Sequence, residues 1–190
     1  LSKINWMKVD TLLFVAENVL NTALENCKHL SGVKKELVYN GLNLARYTYR
    51  KRKPGKRLVF AGHFNYKKNP MLAVQILKKL TEIDRAYTLE WAGSMQDERI
   101  YRYLNYILEK MGISSNFKFV GWKDNVDEYL EDKEIFLSTS IHEGYGVAIL
   151  EAMAKGIKPV IHNFYIAEEF YPGHLIFNTV DEAVRMIKSS

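Results

Sequence analysis

Two glutamates, Glu143 and Glu151, stand eight positions apart in His142-Glu-Gly-Tyr-Gly-Val-Ala-Ile-Leu-Glu151, and their setting invites chemistry. The first sits in a polar loop with Gly144, Tyr145 and Gly146. The second interrupts a helix that is otherwise apolar nearly all round, through Val147, Ala148, Ile149, Leu150, Ala152, Met153 and Ala154. A helix of that composition is expected to be buried in the flank of a sheet. Burying a lone carboxylate is costly unless it is paired or hydrogen-bonded, and the apolar neighbours of Glu151 offer no partner. A pair of ligand hydroxyls would satisfy it. So would a nearby Lys, with Glu143 then doing no more than favouring a helix N-terminus, and the residues alone leave both open. Gly144 and Gly146 let the backbone approach a ligand closely, and the amides that begin the helix suit a phosphate.

A second loop, Gly62-His-Phe-Asn-Tyr-Lys-Lys-Asn69, follows a strand-like run ending at Ala61. Lys67 and Lys68 offer point charges to a diphosphate, as does His63 while protonated. An ordinary basic turn is the plainer account of this loop by itself. In an open parallel sheet both loops lie at the carboxyl ends of strands, where ligands of doubly wound folds bind.

The elements that must position these loops are legible in the period of the apolar residues. Leu20, Ala23, Leu24 and Cys27 recur at helical spacing, which makes Cys27 an expected inert core thiol. Ala73, Ile76, Leu77 and Leu80 repeat the pattern, as do Ile100, Tyr103, Leu104, Ile107, Leu108 and Met111. Thr179 and Glu182 have the spacing of a capping box ahead of Val180, Ala183, Val184 and Ile187. Between the helices run Thr11 to Val15, Arg57 to Ala61, Thr88 to Ala92, Phe117 to Val120, Ile135 to Ser138 and Lys158 to Ile161. Most lack polar alternation, as strands covered on both faces do. Alternating strand and helix predicts an α/β fold, a doubly wound parallel sheet flanked by helices.

Hydrophobic residues at 47% and charged residues at 26% describe an ordinary globular chain and exclude disordered and fibrous classes. No run of about 20 apolar residues predicts a membrane span. A single cysteine in 190 residues cannot form an internal disulfide, so a cytoplasmic location is the expectation. The formal charge of +5 favours anionic partners without choosing among them. Arg46, Arg50, Lys51, Arg52, Lys53, Lys56 and Arg57 surround Pro54 and Gly55 in one segment. It is expected to be a solvated connector, and the sharper alternative is a patch for anionic lipid, giving peripheral contact with a membrane surface. Nucleic acid is not an expected partner.

Spacing removes other chemistries. Gly146 occupies the place of the second histidine in a zinc-protease motif, and no metal site is expected. Ile149 occupies the place of the third glycine of a dinucleotide fingerprint, and no Gly-Lys-Ser or Gly-Lys-Thr loop occurs. His162 and His174 stand apart from both loops in sequence and are expected to be structural.

Glu143 to Ile161 as a whole resembles the paired-glutamate motif of group 1 glycosyltransferases, glycosyltransferase family 4, which have the two-domain GT-B fold. Val38 to Asn43 resembles the interdomain crossing of that family, and Val59 to Lys68 its diphosphate loop. Trp91-Ala-Gly93 and Phe119-Val-Gly-Trp122 resemble its strand ends around the nucleotide. The resemblance implies a retaining sugar transferase using a nucleoside diphosphate sugar, UDP- or GDP-linked, without a further cofactor. It implies a glycan or lipid-linked acceptor, in polysaccharide or glycoconjugate assembly. Residues 1–40 would be the last strand and helix of an acceptor-binding domain plus a connector, the rest of that N-terminal domain being missing. Residues 41–190 would form the Rossmann-like donor-binding domain. By position, Glu143 and Lys68 would be catalytic, and Glu151 would bind the ribose. Gly62, His63, Lys67, Gly93, Trp122, Gly144, Tyr145, Gly146 and Val147 would complete the donor site. His63 departs from the family's arginine, and His162 to Glu169 replaces its glycine-rich turn. A GT-B epimerase or phosphorylase and a non-catalytic nucleotide-binding module are the alternatives.

Overall fold

A computed structural model describes residues 4–53 and 55–189. Pro54 of the basic segment and the terminal Leu1 and Ser190 lie outside the described residues. The chain divides into two compact units: residues up to Leu42 together with Gly144–Val147, and Asn43–Glu143 with the residues from Ala148 on.

In the smaller unit, β1 (Thr11–Phe14) and β2 (Lys34–Leu37) pair in parallel around α1 (Glu17–Asn26). The strand Lys34-Lys-Glu-Leu37 carries three charges in four residues, which hid it from the apolar pattern. The expected buried face of α1 is corrected here. Leu24 is 41% exposed, and Cys27 is half-buried at the helix end and not a core thiol. Leu13 on β1 is exposed as well.

The larger unit contains a six-stranded, wholly parallel sheet: β3 (Arg57–Ala61), β4 (Thr88–Ala92), β5 (Phe117–Gly121), β6 (Ile135–Ser138), β7 (Lys158–His162) and β8 (Ile176–Phe177). Their order in space is β5-β4-β3-β6-β7-β8. Counted from β3, that is the 3-2-1-4-5-6 order of doubly wound folds, reversing between β3 and β6. The expected fold class is observed. Helices α2 (Pro70–Ile83), α3 (Glu98–Lys110), α5 (Val147–Ala154) and α7 (Val180–Lys188) flank this sheet, with short turns α4 (Val126–Tyr129) and α6 (Ala167–Phe170).

Local chemistry sets the helix starts. Asn69 takes a left-handed conformation and accepts from the Leu72 amide, with Pro70 opening α2. Asp97 accepts from the amides of Arg99 and Ile100, and the expected capping box of Thr179 and Glu182 is formed. Ala73, Ile76, Leu77 and Leu80 are fully buried as expected. Leu104 and Leu108 of α3 are buried too, but Tyr103 is exposed, outside the stripe that faces the sheet.

Another correction concerns α5. It is not enclosed: Ile149 and Ala152 are buried, whereas Val147 and Met153 are exposed, so one face packs and the opposite one does not. Its apolar composition reported hydrophobicity without reporting which side is covered.

Gly93, just beyond β4, has φ +148°, and a Cβ there would strike the Gly62 carbonyl oxygen. That oxygen already accepts from the Trp91 indole at 3.0 Å, so it has no room to yield. Gly93→Ala is expected to cost about 2 kcal/mol or more of stability, read as a lower midpoint of urea unfolding.

Candidate functional site

The two loops flanking the reversal of strand order are fastened to each other. Thr139 Oγ1 donates to the Lys68 carbonyl at 2.8 Å, and the Ile141 amide donates to the Lys67 carbonyl at 2.8 Å. Lys68 Nζ meets Glu143 Oε1 at 2.5 Å, and Ser140 Oγ donates to the same oxygen at 2.6 Å. The Lys68 and Glu143 side chains are only 20% and 14% exposed, so their charges interact with little screening. The lysine and glutamate singled out in the sequence thus meet as an ion pair. His63 and Lys67 are exposed beside them. The His63 ring lies roughly parallel to that of Trp122, with centroids 6.3 Å apart.

Beside this pair opens a cavity of about 320 Å³, lined by Gly62, Ala92, Gly93, Trp122, Asp124 and Glu151 among others. A Cβ at Gly62 would lie 3.0 Å from Phe60 Cε1 and 3.4 Å from Lys68 Cε, so the Lys68 stem runs close to this edge of the cavity. Asp124, unremarked in the sequence, accepts from the Trp122 indole N–H at 3.0 Å and ties that ring to the following loop.

Within the fold, Glu151 is held by a tyrosine and not by a lysine. Its partner is Tyr47, whose hydroxyl donates to Glu151 Oε1 at 2.7 Å. Burial and the adjacent carboxylate push the phenol pKa up to about 12, so Tyr47 stays a donor at neutral pH. No periodicity or motif pointed to Tyr47, which lies 104 positions away from Glu151.

The basic segment that carries Tyr47 is not a free connector. Its backbone runs along α4 and α5, the Thr48 amide donating to Asp127 Oδ1 at 3.3 Å and the Arg50 amide to the Lys155 carbonyl at 3.3 Å. Arg50 pairs with Glu131, Arg52 donates to the Glu131 carbonyl, Lys56 pairs with Asp84 and Arg57 with Glu134. Those four cations are thus paired at the surface of the fold, where Arg50, Lys56 and Arg57 remain exposed along with Arg46, Lys51 and Lys53. Beneath the segment, Lys155 is 0% exposed and its ammonium lies 2.7 Å from both Asp127 and Glu131. Burial pulls its pKa down, but the two carboxylate hydrogen bonds outweigh burial and leave it above that of an ordinary lysine.

Gly144, Tyr145, Gly146 and Val147 group with the smaller unit, where Tyr145 stacks on Tyr39 with centroids 5.8 Å apart. His162, expected to be structural and remote, comes to the site: its Nδ1 is 2.9 Å from the Ser140 carbonyl, on the residue whose hydroxyl donates to Glu143. Parallel pairing of β6 with β7 brings these residues together, which sequence separation concealed. Among the described residues no group of three or more His, Cys, Asp or Glu side chains is placed to hold a metal ion. No helix among them is long and apolar enough to cross a membrane.

Residues 45–173 match the family model described as glycosyl transferases group 1, which covers more than half of the chain. The chain belongs to this family. It is 28% identical over 145 residues to the capsular polysaccharide biosynthesis glycosyltransferase CapH of Staphylococcus aureus, covering 75% of this chain and 40% of that protein. It is 32% identical over 125 residues to the tRNA-queuosine alpha-mannosyltransferase of Drosophila melanogaster, covering 64% of this chain and 32% of that one. Among solved structures, Anabaena HepE in complex with UDP and glucose superposes with a TM-score of 0.80 at 15% identity, over 95% of this chain and 53% of that one. At that identity the likeness is one of fold. This group 1 chain spans 40% or less of the length of those two curated relatives.

Proposed function

We propose that this chain is the donor-binding part of a retaining glycosyltransferase, moving a hexose-type sugar from a nucleoside diphosphate to a glycan or lipid-linked acceptor in polysaccharide or glycoconjugate assembly. The observation that carries this reading is the cavity walled by Gly62, Gly93, Trp122 and Glu151, with the Lys68 side chain running close to Gly62. A nucleoside fits such a space, its ribose diol on the Glu151 carboxylate. The diphosphate then extends towards Lys68, with Lys67 and His63 as further ligands. The sugar falls to Glu143.

In the reaction the bond between the anomeric carbon and the diphosphate oxygen breaks, and the acceptor hydroxyl forms the new bond and gives up its proton. The nucleoside diphosphate leaves with added negative charge. Lys68, already held in a partly desolvated ion pair with Glu143, is charged and oriented before substrate arrives, which is what electrostatic stabilisation of a leaving group requires. Residues 1–40 would belong to an acceptor-binding domain, and acceptor alignment and exclusion of water would need both halves of the cleft.

Support is drawn from the family of the chain and from relatives described as sugar transferases. Calorimetric titration of the chain with UDP, GDP and ADP, then with the matching nucleotide sugars, tests the reading. Saturable binding of one nucleotide is expected; binding to none would overturn it. Glu143→Ala is expected to leave the affinity for the bare nucleoside diphosphate within about threefold while removing discrimination among its sugar conjugates. A loss as large for the nucleotide alone would contradict the role given to Glu143.

A further inference from the structure

We infer that Tyr47 is a positioning residue for nucleotide recognition: its hydroxyl holds the Glu151 carboxylate in one orientation, leaving Oε2 for the ribose diol. The inference rests on the donor-site reading above and extends it to a residue outside the paired-glutamate motif.

A glutamate side chain has three rotatable bonds, and on α5 it has only apolar neighbours in its own segment to restrict it. Unheld, its carboxylate would sample several rotamers and would have to be ordered on binding, at a cost in affinity. The Tyr47 hydroxyl removes that freedom at Oε1 with a 2.7 Å bond. Tyrosine suits the task because its ring is rigid and it cannot neutralise the carboxylate, as a lysine would. Its raised pKa keeps the proton on the phenol, so the bond persists through the neutral range. The segment that presents Tyr47 is itself anchored on both sides of α5's end, by the Thr48 amide on Asp127 and the Arg50 amide on the Lys155 carbonyl. Lys155 lies one turn beyond Glu151 on the same chain stretch, so the anchors and the glutamate move as one body.

An alternative fits the same bond: Tyr47 competes with the ribose for Glu151 and must be displaced. The two readings predict opposite signs for Tyr47→Phe. The affinity of wild type, Tyr47→Phe, Glu151→Gln and the double variant is to be measured by calorimetry for the nucleoside diphosphate that binds and for its 2′-deoxy form, with melting temperatures as a check on folding. Wild type is expected to prefer the ribonucleotide. Tyr47→Phe should weaken ribonucleotide binding about five- to tenfold, the loss of one hydrogen bond to a charged group. It should weaken the deoxynucleotide much less, and have little further effect in the Glu151→Gln background. Equal weakening of both nucleotides would make Tyr47 a packing residue and overturn the inference while leaving the donor site intact. Tighter binding by Tyr47→Phe would overturn it in favour of competition. A wild type indifferent to the 2′-hydroxyl would overturn both the inference and the ribose role of Glu151.

Discussion

Glu151→Ala is expected to weaken binding of the nucleoside diphosphate about a hundredfold. Two ribose hydroxyls donating to one partly buried carboxylate make charge-assisted bonds worth roughly 1.5–3 kcal/mol each, and every 1.4 kcal/mol is tenfold in affinity. A hundredfold is a conservative share of that sum. The substitution also strands the Tyr47 hydroxyl beside the cavity, which adds an unsatisfied donor to the apo state without restoring a ligand contact. Glu151→Gln, which keeps one acceptor oxygen, is expected to lose only about tenfold. Calorimetry on the three proteins checks this ordering. Equal, small effects from Glu151→Ala and Glu143→Ala would remove the division of labour between the two glutamates.

Lys155→Ala is expected to be the most destabilising substitution away from the cavity. The ammonium lies 2.7 Å from both Asp127 and Glu131, and it shares Glu131 with Arg50. Removing it takes the shared cation from two carboxylates that are 32% and 37% exposed and empties the buried space of the lysine stem, with an expected cost of about 3 kcal/mol, most of it from the lost packing. For a chain of this size that is a fall of roughly 10 °C in melting temperature. Restoring the volume with Lys155→Met while neutralising the acids, Asp127→Asn and Glu131→Gln, should recover most of the loss, because an apolar replacement of a complete buried ion group is often neutral. The acids titrate below their ordinary values in the fold, chiefly through their hydrogen bonds to Lys155. Their share of stability is therefore complete above the ordinary carboxylate range and is lost as pH falls through the depressed values. Lys155 titrates above the ordinary 10.5, so its share is complete below that value and is lost as pH rises through the raised one. Acid unfolding of wild type should consequently begin below about pH 4–5, and Lys155→Ala should flatten that dependence. An unchanged acid profile in Lys155→Ala would show that the cluster does not couple to folding.

The same cluster has a bearing on the basic segment. Composition alone presented seven cations around a turn, and a solvated connector was the expectation. Four of the seven are held by acids or carbonyls of the fold, because Glu131, Glu134 and Asp84 come from places in the chain that no local pattern links to residues 46–57. Arg46, Lys51 and Lys53 are exposed as well, so an anionic surface would meet them together with cations already in exposed ion pairs.

Much of the fold was legible because its signals are local. Period 3.6 in Ala73 to Leu80, the capping box at Thr179, and apolar runs without alternation from Arg57 onwards each arise from residues a few positions apart; the strands formed within about a residue of the expected runs, and the first of these helices extends three residues beyond its pattern at each end. The loops of Glu143 and Lys68 stood out for a related reason, their glycines and charges following directly on strand-like runs, although an ordinary turn accounted for those residues as well. Where burial depended on what lay opposite, the sequence misled. Cys27 and Leu24 keep helical spacing yet face too little cover, and α5 is apolar on a side that the fold leaves open.

The order of the sheet, the meeting of Lys68 with Glu143, the approach of His162 to Ser140 and the hold of Tyr47 on Glu151 were decided only by the tertiary structure. Partners separated by 22 to 104 positions leave no periodic trace in a single chain, because hydrogen bonds and ion pairs depend on distance in space. The sequence by itself determined most of the strands and the longer helices, though not β2, β8, α4 or α6, and which loops would carry charge. Parallel packing about the β3–β6 reversal determined which of those charges meet.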